Sequence, residues 1–169
     1  MSTRDEGKAR DLTCQEEFVR LDPMDKSETG EPLSPGEQRL WRAFLGWSER
    51  ATGAVAKGLA AAGVSVPEFE ILARLDAAPH GRLGQLALGE DLGWSASRLS
   101  HQLTRMSTRG LLAREAAGAG RAVEVILTAQ GTDLLRAARR LHADAVREGF
   151  LAGLGEEGRR VLGEVFERG

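Results

Sequence analysis

The chain has 169 residues, of which 41% are hydrophobic, so it can form one domain with a substantial core, with or without a tail. Aromatic residues make up only 5% and Tyr is absent, so the core must be built from Leu, Val and Ala, which favours helices. The net charge of −2 alone argues against nucleic acid, and the single cysteine excludes both an intrachain disulfide and a cysteine-rich zinc cluster.

Residues 1–34 are predicted to form an acidic arm that is partly mobile or packs on a partner subunit. They contain five basic and nine acidic residues, whereas the remainder contains 18 basic and 16 acidic ones. The positive excess therefore lies outside the arm, around Arg98 to Arg121. The arm lacks the apolar segment of a secretory signal, and the chain lacks a run of roughly 20 apolar residues. We therefore expect a cytoplasmic protein with no membrane partner.

Residues 35–66 are predicted to contain the first dimerisation helix, running from Pro35 to Ala62. Ser34 is a plausible N-cap, Pro35 takes the first helical position, and Glu37 completes a capping box. Apolar residues then recur at helical spacing as far as Leu59.

Residues 67–128 are predicted to form the DNA-binding region. Pro67 opens a second helix, Leu83 adds a small strand against a hairpin, and Gly84 to Leu92 form a short third helix. Gly89 is unexpected inside a helix, where it costs about 1 kcal/mol relative to Ala. Close packing against the next helix would explain it.

The segment from Ser95 to Arg109 is predicted to be the recognition helix. Leu99, Leu103 and Met106 form one apolar stripe, and Ser95 or Ser97 can cap the start. No Asp or Glu occurs from Leu92 to Arg114, although four Arg do. The other side of the helix carries only donors and cations, which is typical of a surface that faces a polyanion: Ser97, Arg98, His101, Gln102, Thr104, Arg105, Thr108 and Arg109.

Gly110 is predicted to end the recognition helix, and two β-prone runs follow it. The runs LLARE and RAVEVILT surround a connection that contains Gly118 and Gly120, which predicts a hairpin. Helix, turn, helix and a basic-tipped hairpin together predict a winged helix-turn-helix. An ordinary packing unit of one helix and one hairpin is the alternative.

Residues 129–169 are predicted to form two carboxy-terminal dimerisation helices, Ala129 to Phe150 and Glu156 to Arg168, separated by a Gly-Leu-Gly break. The predicted fold is thus mainly α with a small β-hairpin wing. A two-fold dimer would place its two recognition helices about 34 Å apart, which is one turn of a duplex.

The candidate DNA contacts follow from this arrangement. The recognition helix is predicted to present side chains to the major groove or its rim, Ser95 and the helix start suit a phosphate, and Arg121 on the wing reaches the minor groove or backbone. The set is Ser95, Ser97, Arg98, His101, Gln102, Arg105 and Arg121. His101 has no nearby His at metal-ligand spacing, and we find no catalytic or cofactor-binding motif. We therefore expect neither a metal, a cofactor nor an enzyme.

Several of these motifs resemble the MarR family of bacterial transcription regulators. The resemblance covers roughly Glu37 to Val161, and it implies a dimeric regulator that binds a pseudo-palindromic duplex. Family members usually carry an acidic residue two positions before the wing arginine, whereas this chain has Ala119 there. The motifs are Leu92-Gly93-Trp94-Ser95, Arg98-Leu99-Ser100-His101-Gln102, Arg109-Gly110-Leu111-Leu112, Arg121, and Leu127-Thr128 followed by Gly131.

The resemblance also implies an effector cleft between the first helix, the second helix and the DNA-binding unit. Trp47 and Arg50 are candidates to line it and to bind a small aromatic or phenolic ligand that relieves repression. Two alternatives stay open. Cys14 could make the chain an oxidant-sensing regulator, although its acidic neighbours disfavour a reactive thiolate. The missing wing acid at Ala119 could instead mark a winged-helix module that binds protein rather than DNA.

Overall fold

The computed structural model describes residues 31–117 and 122–168. Helices dominate these ranges, and a small antiparallel sheet interrupts them, as the sequence predicts. The elements in chain order are α1 (Pro35–Ala61), α2 (Val66–Ala77), a 3-10 turn (Pro79–Gly81), β1 (Arg82–Gly84), α3 (Gln85–Leu92), α4 (Ala96–Thr108), β2 (Leu112–Ala116), β3 (Val123–Leu127), α5 (Ala129–Val146), a π-helical turn (Arg147–Leu151) and α6 (Glu156–Arg168).

Helix α1 begins with the predicted capping box. The Glu37 backbone N–H donates to Ser34 Oγ at 3.3 Å, and the Ser34 backbone N–H donates to Glu37 Oε2 at 2.7 Å. These bonds satisfy two of the N–H groups that a helix start leaves without intrahelical partners. At the other end Gly63 adopts φ +74°, which allows the chain to turn directly into α2.

The sheet has β3 at its centre, with β1 and β2 antiparallel to it on either side. Leu83 lies opposite Val125 on one edge and Arg114 lies opposite Val125 on the other. The small strand predicted at Leu83 is therefore confirmed. The sheet ties the hairpin to the start of α3, so the wing and the helix-turn-helix form one packed unit.

The core of this unit contains the stripe predicted on α4. Leu99, Leu103 and Met106 are fully buried among apolar residues of α2, α3 and β3. A Cβ built on Gly89 would lie 3.3 Å from Leu99 Cδ2, which is tighter than ordinary contact. Close packing between α3 and α4 thus accounts for glycine at this helical position.

Helix α5 packs along α1, with Gly58 against Leu141 and Ala145. The long helix predicted from Ala129 to Phe150 is helical throughout, and its last turn, Arg147–Leu151, is π-helical rather than α-helical. In that turn Gly149 packs closely against α1, because a Cβ built on Gly149 would lie 2.6 Å from the Ala54 Cβ.

Candidate nucleic-acid interface

The start of α4 is fixed by its own cap and by the end of α3. Ser95 is the N-cap, and its Oγ accepts from the Arg98 backbone N–H at 3.3 Å. Gly93 ends α3 with φ +63°, which leaves Trp94 in the turn between the two helices. Of the two caps considered from the sequence, the structure selects Ser95.

The face of α4 opposite its buried stripe is exposed and carries no carboxylate. Ser97, His101 and Arg105 follow one another at intervals of one turn, so they form a ridge along the helix. Their exposed neighbours on this face are Arg98, Thr104 and Thr108. Within the described ranges no carboxylate lies within 4.0 Å of Arg98 or Arg105, so neither side chain is ion-paired to those residues.

Arg98 stacks on an aromatic ring. Its guanidinium carbon lies 4.1 Å from the centroid of the Trp94 ring, a geometry in which the ring face attracts the cation. This contact restricts the long Arg side chain without neutralising it. The tryptophan of the Leu-Gly-Trp-Ser motif thereby places one cation at the amino-terminal end of the recognition helix.

Gln102 does not share the exposed face, in contrast to the interpretation from the sequence. Its side chain is buried, with 5% of the residue exposed, and its Oε1 accepts a hydrogen bond from Arg105 Nη2. It sits beside the Leu99–Met106 stripe, so the helix turn that buries the stripe also buries Gln102. In this position Gln102 contacts Arg105 rather than solvent, and its predicted contact to DNA stays a prediction.

Arg109 also differs from the expectation of a free outward cation. Its Nη1 lies 2.6 Å from Glu68 Oε1, and its Nη2 donates to the Gly63 carbonyl oxygen at 2.9 Å. Glu68 itself is 8% exposed. The sequence gives no sign of this contact, because the partners are 41 residues apart and on different helices.

The Glu68 carboxylate accepts several hydrogen bonds at the start of α2. The Ser65 backbone N–H and Oγ both donate to its Oε2 at 2.9 Å, and Arg109 donates to its Oε1. Burial raises the pKa of Glu68, but the bonds from Ser65 and Arg109 outweigh burial and leave this pKa below its usual range. The carboxylate is thus held in its charged form.

The wing is braced at its base. Arg82 of β1 lies 3.1 Å from Glu124 of β3 and 3.7 Å from Glu115 of β2, which links all three strands. Arg114 donates to Gln85 Oε1 at 2.8 Å and so joins β2 to α3. The predicted wing contact Arg121 lies outside the described residues, as do Ala119 and Cys14.

A groove of about 500 Å³ opens beside the amino-terminal end of α4. Its walls come from α3, the turn at Trp94 and the start of β3, and they are largely apolar. Leu86 stands at this groove with 76% of its surface exposed, and Glu90 supplies one carboxylate. The volume lies in the range of small-molecule sites in proteins.

The two candidate ligand residues lie on α1, away from this groove. The Trp47 ring packs against Phe150 of the π-helical turn, with centroids 4.7 Å apart, and Arg50 is exposed. The structure therefore places Trp47 in the contact between α1 and the carboxy-terminal part of the chain. Their assignment to a ligand stays a prediction.

In residues 31–117 and 122–168, no three His, Cys, Asp or Glu side chains come together in a way that could hold a metal ion. Nor does any helix in those ranges combine the length and apolarity required to cross a bilayer.

The fold and the exposed face of α4 define a winged helix-turn-helix protein. No family sequence model matches the chain, and no curated protein sequence matches it.

Several solved structures are similar to the chain in fold. AbsC of Streptomyces coelicolor, a MarR family transcriptional regulator, is 29% identical with a TM-score of 0.75, covering 82% of this chain and 94% of its own.

Two DNA complexes are also similar. Sco3205, a MarR family transcriptional regulator from Streptomyces coelicolor in complex with DNA, is 28% identical with a TM-score of 0.74 over 81% of this chain and 87% of its own. A mutant MarR from E. coli with operator DNA has a TM-score of 0.68 at 18% identity, over 82% and 98% of the two chains. The chain therefore has the winged-helix fold of the MarR family of transcription regulators.

Proposed function

We propose that this chain is a cytoplasmic, dimeric DNA-binding transcription regulator that represses genes from a pseudo-palindromic operator. The observation that carries the proposal is the two-sided character of α4. Its leucine side is buried in the fold, while its exposed side presents Arg98 and Arg105 with no carboxylate of the described ranges within ion-pair distance. Such a surface attracts phosphate, and Arg in a major groove can read guanine through a forked pair of hydrogen bonds.

The likeness to Sco3205 supports DNA as the partner. That protein was solved in complex with DNA, and it shares the fold with this chain over most of both lengths. The proposed contacts to the duplex come from the exposed side chains Ser95, Ser97, Arg98, His101 and Arg105, from Gln102 if the helix end moves on binding, and from Arg121 in the predicted wing. Ser95 and the α4 amino terminus suit a backbone phosphate.

Exposed apolar side chains support the dimer. Leu40, Trp41, Phe44 and Leu45 are exposed on the first half of α1, and Trp41 and Phe44 stack with centroids 5.6 Å apart. Helix α6 exposes a second set, Val161, Val165 and Phe166. Clusters of exposed apolar side chains of this kind mark association sites. A two-fold pairing through α1 and α6 would present two α4 helices to one duplex.

Relief of repression by a small aromatic or phenolic ligand is part of the proposal. Trp47 and Arg50 on α1 are one candidate site, and the groove at Trp94 and Leu86 is another. Ligand-induced release of DNA, measured for Trp47→Leu and for Leu86→Gln, distinguishes them. The variant that loses the response without losing DNA affinity identifies the site.

Selection of bound fragments from genomic DNA at low salt tests the proposal. We expect enrichment of fragments that share an inverted repeat, with half-sites about one duplex turn apart. Absence of any enriched or detectably bound duplex would overturn it. Recovery of a protein partner but no DNA would instead favour the alternative function, a winged-helix module that binds protein, which the Ala119 substitution for the wing acid suggests. Release of the duplex by peroxide, abolished by Cys14→Ser, would favour the oxidant sensor.

A further inference from the structure

We propose that Glu68 and Arg109 are positioning residues that set the recognition helix α4 relative to α1 and α2. The proposal rests on the proposed DNA-binding function, which it deepens. Neither residue is assigned to the duplex. Arg109 is the C-cap residue of α4, and its side chain forms an ion pair with Glu68 of α2 and a hydrogen bond to Gly63 in the α1–α2 turn.

The geometry of the bridge restrains α4 in more than one direction. Arg109 Nη1 contacts Glu68 Oε1 at 2.6 Å on α2, while Nη2 reaches the Gly63 carbonyl oxygen at 2.9 Å at the end of α1. A planar guanidinium that binds two acceptors on different elements fixes both distance and direction, which a Lys ammonium would not.

The acceptor side is rigid as well. Glu68 is the third residue of α2, and its Oε2 accepts from the Ser65 N–H and Oγ. The hydrogen bonds from Ser65 therefore fix the orientation of the Glu68 carboxylate independently of Arg109. Because α1 packs along α5 and exposes the apolar surface of the proposed dimer, the bridge links that lobe to the DNA-reading helix.

Loss of the bridge should therefore affect DNA binding without removing a DNA contact. In a two-fold dimer both recognition helices must be in register with one duplex, so a looser α4 weakens binding at two half-sites at once. A residue that contacts phosphate behaves differently, since its removal also lowers the salt dependence of binding.

The variants Glu68→Gln, Arg109→Gln and their double combination separate these roles. Gln at position 68 keeps one oxygen acceptor for the Ser65 cap, while its NH2 group replaces the charged oxygen that accepts from Arg109. Glu148→Gln in the exposed part of the π-helical turn and Arg136→Gln on α5 are matched controls. Affinity for a selected duplex is measured against salt concentration, and thermal melting shows that each variant is folded.

We expect each single variant to lose about tenfold in DNA affinity, with the double variant no worse and the salt slope unchanged. Wild-type affinity in Glu68→Gln, or additive losses in the double variant, would overturn the proposal. A loss confined to Arg109→Gln and accompanied by a lower salt slope would also overturn it, because Arg109 would then be a phosphate contact.

A second measurement needs no DNA, so it separates failure of this inference from failure of the proposed function. Spin labels at Lys57 on α1 and Thr104 on α4, both exposed, report the distance between the helices in a Cys14→Ser background. We expect a narrow distance distribution that broadens or shifts in Glu68→Gln and Arg109→Gln. An unchanged distribution in both would overturn the inference even if the wild-type chain binds no duplex.

Discussion

The Arg98 guanidinium lies over the indole ring of Trp94, with 4.1 Å between the guanidinium carbon and the ring centroid. The ring belongs to the turn before α4, and the cation belongs to the first turn of α4. Because the stacking restricts Arg98 while leaving its N–H groups available, it prepares the side chain for an anion at lower entropic cost.

Replacement of Trp94 should therefore weaken DNA binding in a way that depends on the aromatic face. We expect Trp94→Leu to lose about three- to tenfold in affinity and Trp94→Phe to lose less, since Phe keeps a weaker cation–π contact. Fluorescence anisotropy with a labelled duplex measures both. Equal affinities for the wild type and a folded Trp94→Leu would show that the stack has no part in binding.

Gly131 should be intolerant of any side chain. A Cβ there would overlap the Leu111 carbonyl oxygen and approach Leu127 Cδ1 to 2.8 Å. We expect Gly131→Ala to lower the free energy of unfolding by about 2–3 kcal/mol or more. Gly53→Ala on α1, where a Cβ meets nothing within 4 Å, should be neutral or stabilising by up to about 1 kcal/mol. Denaturant melts of both variants check this, and similar values for the two would contradict it.

The Glu68 cluster predicts a pH dependence of stability. The pKa of Glu68 is lowered in the folded protein, so its stabilising contribution is fully present above the pKa of the unfolded state. This contribution is lost as the pH falls through the lower, folded-state pKa. We expect Glu68→Gln to be less stable at neutral pH by about 1 kcal/mol and to approach the wild type in acid. Thermal melts from pH 7 to acid measure the difference, and a gap that does not narrow would contradict the assignment.

The proposed dimer should depend on the exposed apolar faces of α1 and α6. We expect the double change Trp41→Lys and Phe166→Lys to shift the chain from dimer to monomer, because buried Lys without a partner is costly at an interface. Analytical ultracentrifugation measures the shift. Leu86→Lys, which changes an exposed leucine on α3, is the control. Loss of the dimer in the control, but not in the double variant, would place the interface elsewhere.

The sequence predicts much of the recognition unit because its signals are local. The stripe at Leu99, Leu103 and Met106 and the stop at Gly110 each act within a few residues, and the structure confirms both. The N-cap is Ser95, one of the two serines that the sequence offers. The strand predicted at Leu83 is also confirmed, although its partner Val125 lies far along the chain.

The contacts that the sequence does not predict are long-range or marginal. Arg109 binds Glu68 across 41 positions, and no spacing rule connects them. Gln102 borders the apolar stripe, so a small rotation of the helix decides whether it faces solvent or core. The π-helical turn at Arg147–Leu151 depends on how Gly149 meets α1, which is a tertiary contact.

The proposed DNA binding depends on Arg105 reaching the duplex from the exposed side of α4. The most direct test is the salt dependence of duplex affinity for the wild type, Arg105→Ala and the control Arg136→Ala, which removes an exposed Arg paired with Asp133 on α5. We predict that log affinity falls steeply with log salt for the wild type and the control. Arg105→Ala should bind about tenfold or more weakly and with a shallower slope. Wild-type affinity and slope in Arg105→Ala, or no duplex binding by the wild type at low salt, would contradict the account.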